Sequence, residues 1–199
     1  AYALDVNITG SNNIAVGAYA LDACIAKDSN IAIGRNALTA FGPDGSGSDG
    51  QNISIGTDAM DALTHGSYNV AVGGQSQGAA TTADYNVSMG YRSLYATTTG
   101  SNNTAVGHKA LLNNTTGVRN VSIGKESLDA NTTGGDNVAV GTSALGANTT
   151  ASNNVAVGYL AMAANTTGTA NTGSGYGALN SNTTADNNTA FGFSALIAT

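Results

Sequence analysis

Residues 137–145 read Asn-Val-Ala-Val-Gly-Thr-Ser-Ala-Leu, and residues 154–162 repeat the pattern as Asn-Val-Ala-Val-Gly-Tyr-Leu-Ala-Met. The glycine of this motif recurs at Gly17, Gly34, Gly56, Gly73, Gly90, Gly107, Gly124, Gly141, Gly158, Gly175 and Gly192, always 17 residues apart except for one step of 22. Four residues before it stands Asn every time: Asn13, Asn30, Asn52, Asn69, Asn86, Asn103, Asn120, Asn137, Asn154, Asn171 and Asn188. A short fixed period marks a stacked repeat architecture, in which each unit buries its apolar side against its neighbours.

Small and aliphatic residues alternate in Asn69-Val70-Ala71-Val72-Gly73, which is the period of a strand, and β-branched residues suit a pleated surface. An average helix of about 11 residues leaves no room for this strand and a turn within the repeat. The alternation is expected to send Val70 and Val72 inward and Ala71 outward. The glycine is expected to turn a corner with positive φ or close backbone approach. Leu94, Leu111, Leu128, Leu145, Leu179 and Leu196 then point back into the core from a second short strand, and polar stretches such as 148–153 form turns.

The predicted fold is all-β: a parallel β-solenoid with two short strands per 17-residue coil and about twelve coils, forming a single array over residues 1–199. At ~4.8 Å per coil the rod is roughly 55–60 Å long. Residues 42–51 make an inserted loop that accounts for the long step. Ala1-Tyr2-Ala3-Leu4-Asp5 recurs as Ala18-Tyr19-Ala20-Leu21-Asp22, and the end at 194–199 also falls inside a coil, so partial coils are expected at both ends of a longer array. Gln77 and Thr172-Gly173-Ser174 break the motif and are expected to be local weak points. The repeated Asn residues are expected to stack as a structural ladder of amides along the axis.

Between the two aliphatic positions lies a column of small residues: Ala15, Ala32, Ser54, Ala71, Ser88, Ala105, Ser122, Ala139, Ala156, Gly173 and Ala190. Read as facing away from the core, it is a flat seam for another chain, because a solvated face has no reason to exclude Lys and Glu. Lateral contact along a rod closes by cyclic symmetry, and a homotrimer is the expected assembly.

Composition narrows the function classes. The chain has 27 Gly, one Pro, no Trp, 9% charged residues and a net charge of −6 with only six Lys plus Arg. No basic stripe is available to neutralise phosphates, so nucleic acid is not expected as a partner. No stretch approaches the ~20 apolar residues of a membrane span, and no membrane insertion is expected. Cys24, the single cysteine, reads as a small buried apolar side chain. His65 and His108 occupy non-equivalent repeat positions, and neither a nucleophile grouping nor a phosphate-binding loop is present. No catalytic, cofactor-binding or metal-binding residue is assigned. Asp44, Ser46, Ser48 and Asp49 alternate oxygen donors but lack the glycine and the bidentate glutamate of a calcium loop.

Threonine pairs recur at 81–82, 98–99, 115–116, 132–133, 149–150, 166–167 and 183–184. They are read as turns in which hydroxyls satisfy backbone groups, with an ice-binding array as the rival. Among the Asn-x-Ser/Thr sequons, Asn131 in a turn is expected to be accessible to glycosylation and Asn120 in the ladder is not.

The motifs at 137–145 and at 30–38 (Asn-Ile-Ala-Ile-Gly-Arg-Asn-Ala-Leu) resemble the head repeats of YadA-like trimeric autotransporter adhesins. The longer unit with Asn-Thr-Thr-Gly at 131–134 and 165–168 is similar to repeats of phage tail fibres and of bacterial tail-fibre-domain proteins. The resemblance implies a left-handed β-roll, a homotrimer and no catalysis. The expected role is a structural and adhesive fibre segment at a cell surface or on a virion, attaching to a host-surface glycan or protein receptor.

Overall fold

The computed structural model describes residues 2–45 and 50–197. Its regular structure is eleven strands of three residues each: β1 (Ile14–Val16), β2 (Ile31–Ile33), β3 (Ile53–Ile55), β4 (Val70–Val72), β5 (Val87–Met89), β6 (Thr104–Val106), β7 (Val121–Ile123), β8 (Val138–Val140), β9 (Val155–Val157), β10 (Thr172–Ser174) and β11 (Thr189–Phe191). They form one sheet in chain order. Each strand pairs parallel with its successor, with equivalent motif positions opposite one another, as in Val121↔Val138 and Ile123↔Val140. The chain is thus a parallel β-solenoid of about ten turns, fewer than the twelve expected.

The long step leaves the register intact. Ile31 still pairs with Ile53, and an isolated parallel bridge between Asp28 and Gly50 resumes pairing where the insert ends. Phe41 and Lys27 are both fully buried beside it, with the Lys27 ammonium 5.9 Å from the Phe41 ring centroid. Of the four loop residues considered for calcium, Ser46, Ser48 and Asp49 lie outside the described residues. Asp44 is 2.9 Å from Nε2 of His65.

The expected orientation of the strands is reversed. The central residue points inward, and Ala32, Ser54, Ala71, Ala105 and Ala139 are fully buried. The flanking Val, Ile and Met side chains are half-buried or exposed. The reason is the thinness of the coil. Ser54 Oγ donates to the Ala59 carbonyl at 2.8 Å and Ser122 Oγ to the Ser127 carbonyl at 2.8 Å, so one wall reaches the backbone of the other through a single small side chain. A valine or isoleucine does not fit there. The interior is instead closed by the leucines opposite: of those expected to point inward, Leu94, Leu111, Leu128, Leu145 and Leu179 are fully buried, whereas Leu196, in the last coil with no described coil stacked beyond it, is 48% exposed.

No second strand carries those leucines: among the described residues each coil has one strand. The backbone after the motif glycine alternates its hand. In the coil of β7, Gly124, Glu126 and Leu128 have φ of 133°, 53° and 48°. The alternation aims successive amides at different partners. The Glu126 N–H donates to the His108 carbonyl of the preceding coil and the Leu128 N–H to the Ala144 carbonyl of the next, each at 3.0 Å. Among the described residues, no Val, Ile or Thr has positive φ, because β-branching makes that region a genuine outlier. Leu and Met fill this column for that reason.

The motif glycines are fixed twice over. Gly107 has φ of 135°, and a Cβ on it would lie 2.6 Å from the Gly124 carbonyl oxygen one coil on. The departure at Thr172-Gly173-Ser174 does not interrupt the sheet. It forms β10, paired on both sides, because the two positions that lost their aliphatic residues face outward, and Met162 fills the space beside Gly173.

Gly107→Ala is expected to destabilise the chain by about 2–4 kcal/mol through strain and clash. Gly192→Ala, where φ is 122° but nothing lies within 4 Å, should cost about half as much. Leu128→Ile, equal in volume, should cost about 1–3 kcal/mol from positive φ alone, whereas Leu128→Met should cost less than about 1.5 kcal/mol. Chemical denaturation followed by far-UV circular dichroism measures all four.

Candidate functional site: the aliphatic face

Because each strand has three residues and sends its centre inward, two side chains per coil stand on the outer face. They form two parallel columns, β-branched in most coils, running from Ile14 and Val16 at one end to Thr189 and Phe191 at the other. Exposure along the face includes 56% at Val16, 45% at Met89, 39% at Ile123 and 71% at Phe191. At ten steps of ~4.8 Å the face is about 48 Å long. Two side chains wide, it is on the order of 600 Å², at the upper limit of the contiguous apolar patches that monomers expose.

Aromatic residues border the face at the position after the glycine. Tyr159 and Tyr176 stack with centroids 5.2 Å apart, Tyr176 and Phe193 follow at 5.0 Å, and Tyr91 stacks on His108 at 5.9 Å. Stacking face to face along the axis leaves ring edges, not ring faces, toward solvent, so the column extends the apolar border without forming a platform for a flat ligand.

The residues assigned to the oligomer seam lie elsewhere. Ala32, Ser54, Ala71, Ser88, Ala105, Ser122, Ala139 and Ala156 are fully buried, Ala190 is 4% exposed, and Ala15 is partly buried against the N-terminal core cluster. They line the inside of the coil and are closed to another chain. Their restriction to small residues reflects the narrow interior, and the surface open to a partner is made by their neighbours on either side.

The asparagine column forms a continuous hydrogen-bonded ladder. The Asn120 N–H donates to Asn103 Oδ1 at 3.0 Å and its Nδ2 to the Gly134 carbonyl at 2.9 Å. The Asn137 N–H in turn donates to Asn120 Oδ1 at 3.0 Å. Ten such backbone-to-amide steps join Asn13 to Asn188. A second, unanticipated ladder runs from Asn114 through Asn131, Asn148 and Asn165 to Asn182. Asn131 is fully buried, donating to Asn114 Oδ1 at 2.9 Å and to the Gly134 carbonyl at 3.0 Å. The expectation that it is open to glycosylation is therefore overturned.

In the threonine pairs from 81–82 to 166–167 only one hydroxyl faces out, and at the last pair Thr183 and Thr184 are both exposed. Thr132 Oγ1 donates to the Thr149 carbonyl at 3.0 Å and Thr149 Oγ1 to that of Thr166 at 3.3 Å. The second members, among them Thr99, Thr116, Thr133, Thr150 and Thr167, are exposed in single file. His65 and His108 are apart, with different partners. Among the described residues no group of three or more His, Cys, Asp or Glu could hold a metal.

The few perturbed acids fall into two classes. Burial, aided in Asp129 by the Glu126 charge, raises Asp61 and Asp129. The Arg119 guanidinium lowers Asp136 through a bond of 2.6 Å, and the Thr169 N–H lowers Asp186. Burial also raises the Cys24 thiol.

A raised folded pKa means that the native state takes up protons more readily than the unfolded chain. Asp61 and Asp129 therefore cost stability at pH 7, and the cost is removed as pH falls through their folded values toward 3.8. Asp136 and Asp186 contribute stability present above 3.8 and lost as pH falls through their lower folded values. Asp61→Asn with Asp129→Asn should unfold at a higher temperature than the parent at pH 7, with the difference shrinking by pH 4. Thermal scans at the two pH values measure it.

No protein-family model, curated protein or solved structure matches this chain.

Proposed function

We propose that the chain is a segment of an adhesive fibre, exposed at a cell surface or on a virion, that assembles as a homotrimer and carries out no catalysis. The observation that supports this most is the exposed aliphatic face, which runs the whole length of the sheet although the coil interior is filled without it. Burying it at ~25 cal/mol per Å² of apolar surface supplies stabilisation that a thin core of Ala and Leu does not. Its area approaches the ~800 Å² per partner of a standard interface once the aromatic border is included. Cyclic closure of three such rods hides all three faces around one axis.

The seam in this reading consists of the outward residues of the strands, such as Ile123 and Val140, and not of the Ala/Ser column. Attachment to a host-surface glycan or protein receptor falls to the variable outer positions and the inserted loop, where non-repeating side chains can confer specificity. The net charge of −6 with six cations disfavours nucleic acid as a partner. Among the described residues no helix is long and apolar enough to cross a membrane. The left-handed coil implied by the adhesin resemblance belongs to the same proposal.

The single file of exposed threonines favours a second reading, an ice-binding surface. Against it stands the loss of the other hydroxyl to the backbone in the pairs from 81–82 to 166–167, which leaves one column where a lattice match needs a two-dimensional array.

Light scattering coupled to size exclusion should give three times the 19.5 kDa chain mass. Ile123→Lys with Val140→Lys should reduce the mass to that of one chain while the far-UV spectrum persists. A monomeric parent protein overturns the fibre reading, and thermal hysteresis in that monomer supports the ice-binding one.

A further inference from the structure

The backbone of the solenoid is continuous but its side-chain core is not. Buried apolar residues from Ala20 to Ala83 form one cluster and those from Leu94 to Ala190 another. The gap falls at one interface, between the coil of β4 and the coil of β5. Gln77 occupies the column that elsewhere holds leucine or methionine, and it is fully buried. Its Nε2 donates to Ser88 Oγ at 2.9 Å and to the Val70 carbonyl at 3.2 Å, while its Oε1 has no partner. Ser76 Oγ lies 2.6 Å from Ser88 Oγ and 3.0 Å from Ser93 Oγ.

A second column changes chemistry at the same interface. Seven residues after the motif glycine, the coils below carry Cys24, Phe41, Leu63 and Ala80, and those above carry Thr97 and then the second asparagine ladder. All of these are buried. The ladder ends there, with Asn114 Nδ2 donating to Thr97 Oγ1 at 3.4 Å. Backbone pairing passes through unchanged: Val70 pairs with Val87, and Gln77 N–H donates to the Ser93 carbonyl at 3.0 Å.

Within one chain each coil touches only its neighbouring coils, so the array parts where that neighbour term is weakest. A buried polar cluster with one orphaned acceptor packs less favourably than the leucine-on-leucine contact it replaces. We propose that the β4–β5 interface is a built-in joint that divides the solenoid into two units, one ending at Tyr85 and one beginning at Asn86, each opening cooperatively on its own. The N-terminal unit, with fewer coils and one asparagine ladder, opens first. Pulled along its axis, a fibre of such units lengthens at the joint while the coils on the C-terminal side remain stacked.

Hydrogen exchange of the intact protein, read by mass spectrometry, tests the joint. The slowest amides of β1–β4 should share one protection level, and those of β6–β11 should share a second that is at least tenfold higher. Gln77→Leu with Ser88→Ala, which installs the array's own residues, should bring the two levels together. Gln77→Met, a residue already tolerated in this column at Met60 and Met162, should narrow the gap and guards against misfolding of the double variant. Uniform protection from β1 to β11 in the parent protein overturns the proposal. So does a difference that both variants leave unchanged.

Discussion

One wall of each coil lies within reach of a serine hydroxyl on the other, and most of the structure follows from that narrowness. Only Ala, Ser or Gly fits at the strand centre, so the larger residues beside it must face outward. The opposite wall can supply one leucine per coil, provided that the backbone turns tightly enough to bring it in. That turn is made with alternating hand, and positive φ at the leucine excludes the β-branched residues that the strand prefers. Two columns a few residues apart thus select opposite kinds of aliphatic side chain. The strand takes Val and Ile, and the turn takes Leu and Met.

So thin a core leaves buried backbone groups that an ordinary domain would satisfy with longer strands or helices. Here asparagine does it. Each amide accepts from the N–H of its counterpart one coil on and donates to a carbonyl in the adjoining turn, so the same side chain closes two backbone groups per coil. Such a device works only in a repeat, because every member needs an identical neighbour. It also explains how a chain with 9% charged residues can bury so many asparagines with their amides paired.

The period, the position of the motif strand, the glycine corner, the first asparagine ladder and the place of the insert were legible in the sequence, because each is a repetition or a break in one; the second strand expected at the leucines was not there, because positive φ at the leucine breaks an extended run. The facing of the motif strand was not legible. Strict alternation says that Val70 and Val72 share a side and Ala71 takes the other, but it does not say which side is inside. Hydrophobicity pointed the wrong way because the rule that aliphatic residues go inside presumes an interior wide enough to hold them. Two signals were available: a column confined to Ala, Ser and Gly, which marks a tight interior, and a leucine column free of Ile and Val, which marks positive φ. The second ladder escaped notice because its asparagines precede the threonine pairs in what reads locally as turn chemistry.

The aliphatic columns are harder to explain by folding alone. Strand propensity favours Val and Ile, yet Thr suits an exposed strand as well, and it stands at Thr104, Thr172 and Thr189 in the first column without breaking the sheet. A solvated face under no other demand would carry Thr in both columns. The second column instead holds Val16, Ile33, Ile55, Val72, Met89, Val106, Ile123, Val140 and Val157, then Ser174 and Phe191, and no threonine. Propensity accounts for β-branching there but not for the absence of threonine, with Ser174 the one hydroxyl among the eleven positions. A dry neighbour accounts for both, since an unpaired hydroxyl pressed against an apolar surface has a desolvation cost that a methyl group avoids. The composition of that one column is therefore what the proposed trimer rests on, beyond the mere exposure of the face.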